Sequence, residues 1–313
     1  MVSREGKTEL FARWYGGNMV VADEGVGTGL RWWVDSGAGP VAGGGTGRGG
    51  DTIGHGHNPD APFVTVDYAI TQCVANRGDI IYVCEGHVED SDAVLFDVDI
   101  AGITIIGLGN GVNRPEFHFN NAAATVDIGA SDCKLVNLKF LPSITSVLIG
   151  IDIEADAHNT EITGCVFWEG EDGAGADEFV TTIELKAGAD GTWIHHNDIR
   201  SHTAAAECTS AILLNGISDR VKIHDNLMIG NWSTAAVNDA AVCTSVYVAD
   251  NHIKVKDAEP GIELSNTTTG MLVRNMIEST GVAAANAIVA QDCAWFANLV
   301  VTADGINAVP VSA

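Results

Sequence analysis

Ile194-His-His-Asn197-Asp-Ile199 is followed by Ile223-His-Asp-Asn226-Leu-Met228, Val248-Ala-Asp-Asn251-His-Ile253, Leu272-Val-Arg-Asn275-Met-Ile277 and Trp295-Phe-Ala-Asn298-Leu-Val300. The unit is an aliphatic or aromatic residue, two spacers, Asn, one spacer and an aliphatic. Successive Asn positions lie 29, 25, 24 and 23 residues apart. Degenerate copies precede them at Ile162…Cys165-Val-Phe167, Leu135…Leu138-Lys-Phe140 and Ile103…Ile106-Gly-Leu108. A self-similar period of this length marks a solenoid, in which each unit buries its apolar side only by stacking on its neighbours.

A second short motif precedes most units: Val126-Asp-Ile128, Ile151-Asp-Ile153, Ile183-Glu-Leu185, Ile212-Leu-Leu214 and Ile262-Glu-Leu264. Its period of two puts the aliphatic residues on one face and the middle residue on the other. Two or three short strands per coil, with no 3.6-residue period between them, exclude helical repeats. The expected fold is all-β, a right-handed parallel β-helix. At about 4.8 Å per coil, eight or nine coils make a rod of roughly 40 Å. Within it the column Asn197, Asn226, Asn251, Asn275 and Asn298 reads as scaffold. Asn tolerates the left-handed backbone of a bend, and stacked amides can bond from coil to coil.

Working outward, Thr65 is a fitting N-cap for a helix with Val66, Ala69, Ile70, Cys73 and Val74 on one face, stopped by Asn76-Arg-Gly78. That helix is expected to cap the solenoid. Before it, half of the residues from Gly37 to Gly56 are glycine, a turning loop. Three regions result: an extended N-terminal arm over 1–34, a loop, helix and first strand over 35–92, and the β-helix over 93–313. The arm's aromatics Phe11, Trp14, Tyr15, Trp32 and Trp33 are candidates for an attachment surface.

Asp and Glu number 41 against 16 Lys and Arg, a net charge of −25. Phosphate backbones and anionic membranes repel such a chain, so neither nucleic acid nor membrane is an expected partner. The N-terminal residues lack the apolar stretch of a secretory signal, which implies synthesis in a cytoplasm. The seven cysteines contain no Cys-x-x-Cys pair and read as small buried apolar residues.

Two constellations could carry chemistry. The middle residues Asp127, Asp152 and Glu184, with Glu154 on the same face as Asp152, form an acidic column if the strands align. Carboxylates about one coil apart have the separation that glycoside hydrolysis uses, and Ca²⁺ is the ion they would attract. The plainer reading is a solvated acidic face, and no resident cofactor is assigned. His55-Gly-His57 offers two metal ligands in the glycine-rich loop, but no third is evident. Trp168 and Trp232 could stack on sugars, although packing explains them as well.

The arrangement over residues 60–313 resembles the pectin-lyase-like superfamily. The segment Pro62-Phe-Val-Thr-Val-Asp-Tyr-Ala-Ile70…Gly78-Asp-Ile-Ile-Tyr-Val83…Gly86 is similar to that superfamily's helix-capped opening. The stretch from Phe11-Ala-Arg-Trp-Tyr15 through Val34-Asp-Ser36 to Ile105-Ile-Gly-Leu-Gly-Asn-Gly111 is similar to β-helix proteins of tailed-phage virions: tailspikes, fibres and capsid decorations. The superfamily's polygalacturonase-like motifs are not met. Asn159-Thr-Glu161 stands for Asn-Thr-Asp, Gly54-His-Gly56 lies before the helix, and His252-Ile-Lys254 stands where an arginine is wanted. The resemblance therefore implies a non-enzymatic virion protein, self-associating as a trimer, bound to other virion proteins and exposed outside the cell. Its alternatives are a polysaccharide depolymerase using Asp127, Asp152, Glu154 and Glu184, or a module that binds a surface glycan.

Overall fold

The computed structural model describes residues 12–15, 18–21, 29–38, 48–91, 93–169, 177–201, 208–256, 259–279, 286–302 and 305–308. It is a right-handed parallel β-helix with three sheets. In sheet one, Arg31–Val34 is followed by nine strands from Ile80–Val83 to Cys293–Phe296. Sheet two runs from Val88–Ser91 to Leu299–Thr302 and ends in Gly305–Ala308. Sheet three has eight strands, from Val94–Asp97 to Ile288–Val289. The eight strands of sheet three close eight complete coils, and Cys293–Phe296 with Leu299–Thr302 begins a ninth.

Each strand turns alternate residues inward, so the core consists of columns. Ile105, Leu135, Ile162, Ile194, Ile223, Val248 and Leu272 line the inside of sheet one, all fully buried. Phe117, Phe140 and Phe167 stack inside sheet two, with ring centroids 5.7 and 5.0 Å apart. Burying one such side chain contributes about 1.5–3 kcal/mol, and the repetition supplies the core.

The helix is present but short, Val66–Thr71, with Thr65 Oγ1 accepting the Tyr68 N–H at 3.3 Å. It ends before Val74, which is 51% exposed although it was expected on the buried face. The fully buried Asp79 carboxylate takes the Val74 N–H at 2.8 Å and binds Arg77 through two bonds, drawing the chain out of the helix.

Two expected boundaries move. Arg31–Val34 pairs in parallel with Ile80–Val83, so the solenoid begins inside the stretch assigned to the arm. A division at residue 92 also falls inside the first coil. At the far end Gly305–Ala308 turns back antiparallel on Leu299–Thr302 and covers that strand's edge.

The Asn column is a ladder. Nδ2 of Asn197, Asn226, Asn251 and Asn275 each donates to Oδ1 of the next Asn, at 3.0–3.1 Å. The left-handed residue is not the Asn but the one before it: His196, Asp225, Asp250, Arg274 and Ala297, with φ of 52–56°. Asn turns inward for its amide, and its neighbour makes the bend. Ala297 is exposed and lacks a side chain able to offset that backbone cost. Replacing it with Gly should raise unfolding stability by about 0.5–1 kcal/mol, read from the denaturation midpoint. An unchanged or lower midpoint would contradict the strain.

Six cysteines are buried and Cys84 is half-buried, all free thiols. Burial pushes the Cys165 thiol up to about 12 and that of Cys84 to about 11.

Candidate functional site

Sheet three brings Asp97, Asp127, Asp152 and Glu184 into one register column, followed by Leu213, Asn238 and Glu263. Its middle is not the exposed face expected. Asp152 is 5% exposed and Glu184 is 8% exposed. Asn215 Nδ2 donates to Glu184 Oε1 at 2.7 Å. Lys186, two residues after Glu184, reaches back one coil to Asp152 Oδ2 at 2.6 Å and Glu154 Oε1 at 3.0 Å. Among the described residues Asp152 Oδ1 is buried without a hydrogen-bond partner.

Burial pushes the Asp152 carboxyl up to about 6. Lys186 opposes the shift, and Glu154 and Glu184 add to it. Burial also raises Asp127, with Glu154 contributing, and Asp97, beside Asp99 and Asp127. Burial works against the Lys186 ammonium, yet its bonds to Asp152 and Glu154 prevail and hold its pKa above the usual range. Asp127, Asp152 and Glu154 each offer a ligand atom within 4.8 Å of the others, the group among the described residues that could hold a cation.

His55 and His57 lie apart from that group. His55 Nδ1 meets Thr52 Oγ1 at 3.0 Å, and His57 lies against Trp32 with centroids 4.8 Å apart. The aromatic arm also separates. Trp32 is 5% exposed and packs on Phe63 at 5.6 Å, so it belongs to the capped core and not to an attachment surface. Its inward place in an alternating strand is the reason. Trp33 faces outward against Tyr82 at 5.0 Å. Trp14 and Tyr15 belong to Ala12–Tyr15, which pairs antiparallel with Asn18–Val21; Phe11 lies outside the described residues.

Trp232 is fully buried, and Trp168 lies under the Arg200 guanidinium at 4.9 Å, so both act in packing. The buried His87 was not singled out in the sequence. Its Nδ1 accepts the Ser36 N–H at 3.0 Å, which leaves Nε2 to donate to Glu89 at 3.1 Å. Both ring nitrogens are therefore spent on holding the first coil.

The outer face of sheet one carries a shallow groove that sequence reading missed. Its first compartment, about 430 Å³, is lined by Asn159, Glu161, Gly191, Trp193, Arg220, Lys222 and Ser245. Its second, about 490 Å³, is lined by Trp193, Lys222, His224, Tyr247 and Asp250. Glu161, Trp193, Lys222 and Tyr247 are register partners in successive coils, one outward column. The residue before the first aliphatic of each repeat unit was the available signal.

No protein-family model matches the chain, and no curated protein is similar to it in sequence. Among solved structures it is similar to a GH136 lacto-N-biosidase from Eubacterium ramulus, with a TM-score of 0.32 and 8% identity over 86% of this chain and 67% of that one. A likeness this distant says nothing about activity.

Proposed function

We propose that the chain is a non-enzymatic structural protein of a tailed-phage particle, a capsid decoration or a tail or fibre appendage. In this reading it is made in the host cytoplasm, self-associates side by side as a trimer, binds other virion proteins through its N-terminal segment and is displayed outside the cell. The observation that carries it is Lys186. This one cation is bonded to both Asp152 and Glu154, two of the four carboxylates on which the enzymatic reading relies. The ladder and the inward columns favour a stiff rod. Mass spectrometry of purified particles from the source should find the chain at structural copy number. Its absence from particles would refute the reading.

The second reading is a polysaccharide depolymerase, favoured by a carboxyl near 6 at Asp152 beside Asp127. A general acid needs such a pKa at neutral pH. Release of reducing ends or unsaturated uronates from a panel of acidic polysaccharides, abolished by Asp152→Asn, would establish it in place of the first.

A further inference from the structure

The outward bend between sheets one and two gathers three histidines. His195 ends the strand Trp193–His195, and His224 is its register partner in the next coil. Neighbouring residues of a strand normally face opposite sides. His196 escapes that rule because its φ of 56° is left-handed, which brings its ring to the side of His195. The two rings stand 5.0 Å apart at 81°, and their Nδ1 atoms are 2.7 Å apart.

The partners of each ring settle which nitrogen carries a proton. His195 Nε2 meets Glu161 Oε1 at 3.0 Å, and that carboxylate is itself fixed by Lys134 at 2.5 Å. A carboxylate only accepts, so Nε2 holds the proton and the neutral ring keeps a bare lone pair at Nδ1. Thr163 Oγ1 and His196 Nδ1 lie against that lone pair, at 3.2 and 2.7 Å. The second becomes a ligand atom itself once its proton moves to Nε2 of the exposed His196 ring. His224 stacks on His195 at 4.9 Å with the planes 6° apart, and its own Nδ1 is committed to Asp225 Oδ2 at 2.8 Å. The stack and the Glu161 bond together fix the plane of His195. An imidazole whose second nitrogen donates to a carboxylate is in the arrangement that orients metal ligands.

We propose that His195 and His196 hold a divalent transition-metal ion, of the Cu²⁺ and Zn²⁺ class, between their Nδ1 atoms. Metal–nitrogen bonds of about 2.0–2.1 Å at a tetrahedral angle put two nitrogens about 3.3 Å apart, so the pair opens by about 0.6 Å, a small rotation of the exposed ring. The protein supplies two ligands here, against three in the carboxylate cluster of sheet three, and solvent completes the set. Selectivity comes from ligand type and not from charge. A chain of −25 attracts any cation and its carboxylates take hard ions such as Ca²⁺, whereas imidazole nitrogen prefers Cu²⁺ and Zn²⁺. The proposal does not depend on the structural reading of the whole chain.

The test is titration of the full chain with Cu²⁺ in an excess of Ca²⁺, which occupies the oxygen sites. Calorimetry should find a saturable site, and the Cu²⁺ electron paramagnetic resonance spectrum should show splitting from two nitrogens. His195→Gln and His196→Asn should each weaken binding about tenfold or more, with the metal-free melting temperature unchanged. Asn suits the left-handed position, so the second variant keeps the bend. Replacing both His55 and His57 by Gln removes the other closely spaced pair and should change the affinity less than about twofold. If His195→Gln fails to fold, the wild-type spectrum and His196→Asn decide alone. The proposal is overturned if no saturable site survives the Ca²⁺, if the spectrum lacks the two-nitrogen splitting, if either folded bend variant binds as wild type, or if the His55 and His57 replacement weakens binding as much as His196→Asn.

Discussion

Asn251→Ala is expected to lower the stability of the folded chain by about 4 kcal/mol. The Asn251 side chain is 1% exposed and sits at the centre of the ladder. Its Oδ1 accepts the Asn226 N–H and Asn226 Nδ2, both at 3.0 Å. Its Nδ2 donates to Ile223 O at 2.9 Å and to Asn275 Oδ1 at 3.0 Å. Truncation removes all four bonds and leaves two donors and a carbonyl buried without replacement. Each stranded buried group costs about 1–3 kcal/mol. Asn298→Ala, at the ladder's end, removes only three bonds and should cost less. Asn251→Asp separates hydrogen bonding from packing, because it keeps the shape but places an acceptor against Asn275 Oδ1 and Ile223 O. It should be at least as damaging as Ala at neutral pH and should recover in acid, when the carboxyl regains one donor. Denaturant midpoints for the three variants decide the matter. A loss under about 1 kcal/mol for Asn251→Ala would show that the ladder is incidental to stability.

The ladder was legible because its residue type repeats. Five Asn at near-constant spacing, each followed two positions later by an aliphatic, leave few alternatives to stacked coils. The bend itself was not legible. The left-handed position is filled by His, Asp, Asp, Arg and Ala, and the backbone there answers to geometry imposed from both sides, so no shared side chain reports it. The start of the solenoid was hidden for a different reason. Trp32 and its partner Ile81 are separated by the glycine-rich tract and the capping helix, which together span about two coils of sequence. The acidic column aligned as its spacing implied, since register follows from the flanking aliphatics. Its burial and its capture by Lys186 could not be read, because a lysine just past the end of the next strand carries no mark of the coil it reaches back to. The groove was overlooked because Trp193, Lys222 and Tyr247 share a position and not a residue type.

Asp152→Asn should make the chain more stable at pH 8, by about 2–3 kcal/mol. The Asp152 carboxyl stands at about 6 in the folded chain, against 3.8 ordinarily, because burial outweighs the attraction of Lys186. The folded state thus binds this proton more tightly than the unfolded state. Its contribution to stability is fully present below about pH 4 and is lost as pH rises through about 6. A shift of about two units corresponds to about 3 kcal/mol. The neutral isostere escapes that loss and should flatten the stability profile between pH 4 and 6. Lys186 would still hold Glu154, so the ammonium would not be stranded. Lys186→Met should act in the opposite direction. It leaves Asp152, Glu154 and Asp127 facing one another without a cation, should cost about 3 kcal/mol at pH 8, and should recover in acid as Asp152 protonates. If Asp152→Asn is instead destabilising at pH 8, the ion pair contributes more than burial costs, and the carboxylate is structural. If it is stabilising, the fold carries at Asp152 a charge that weakens it, and the rod is better built without that charge.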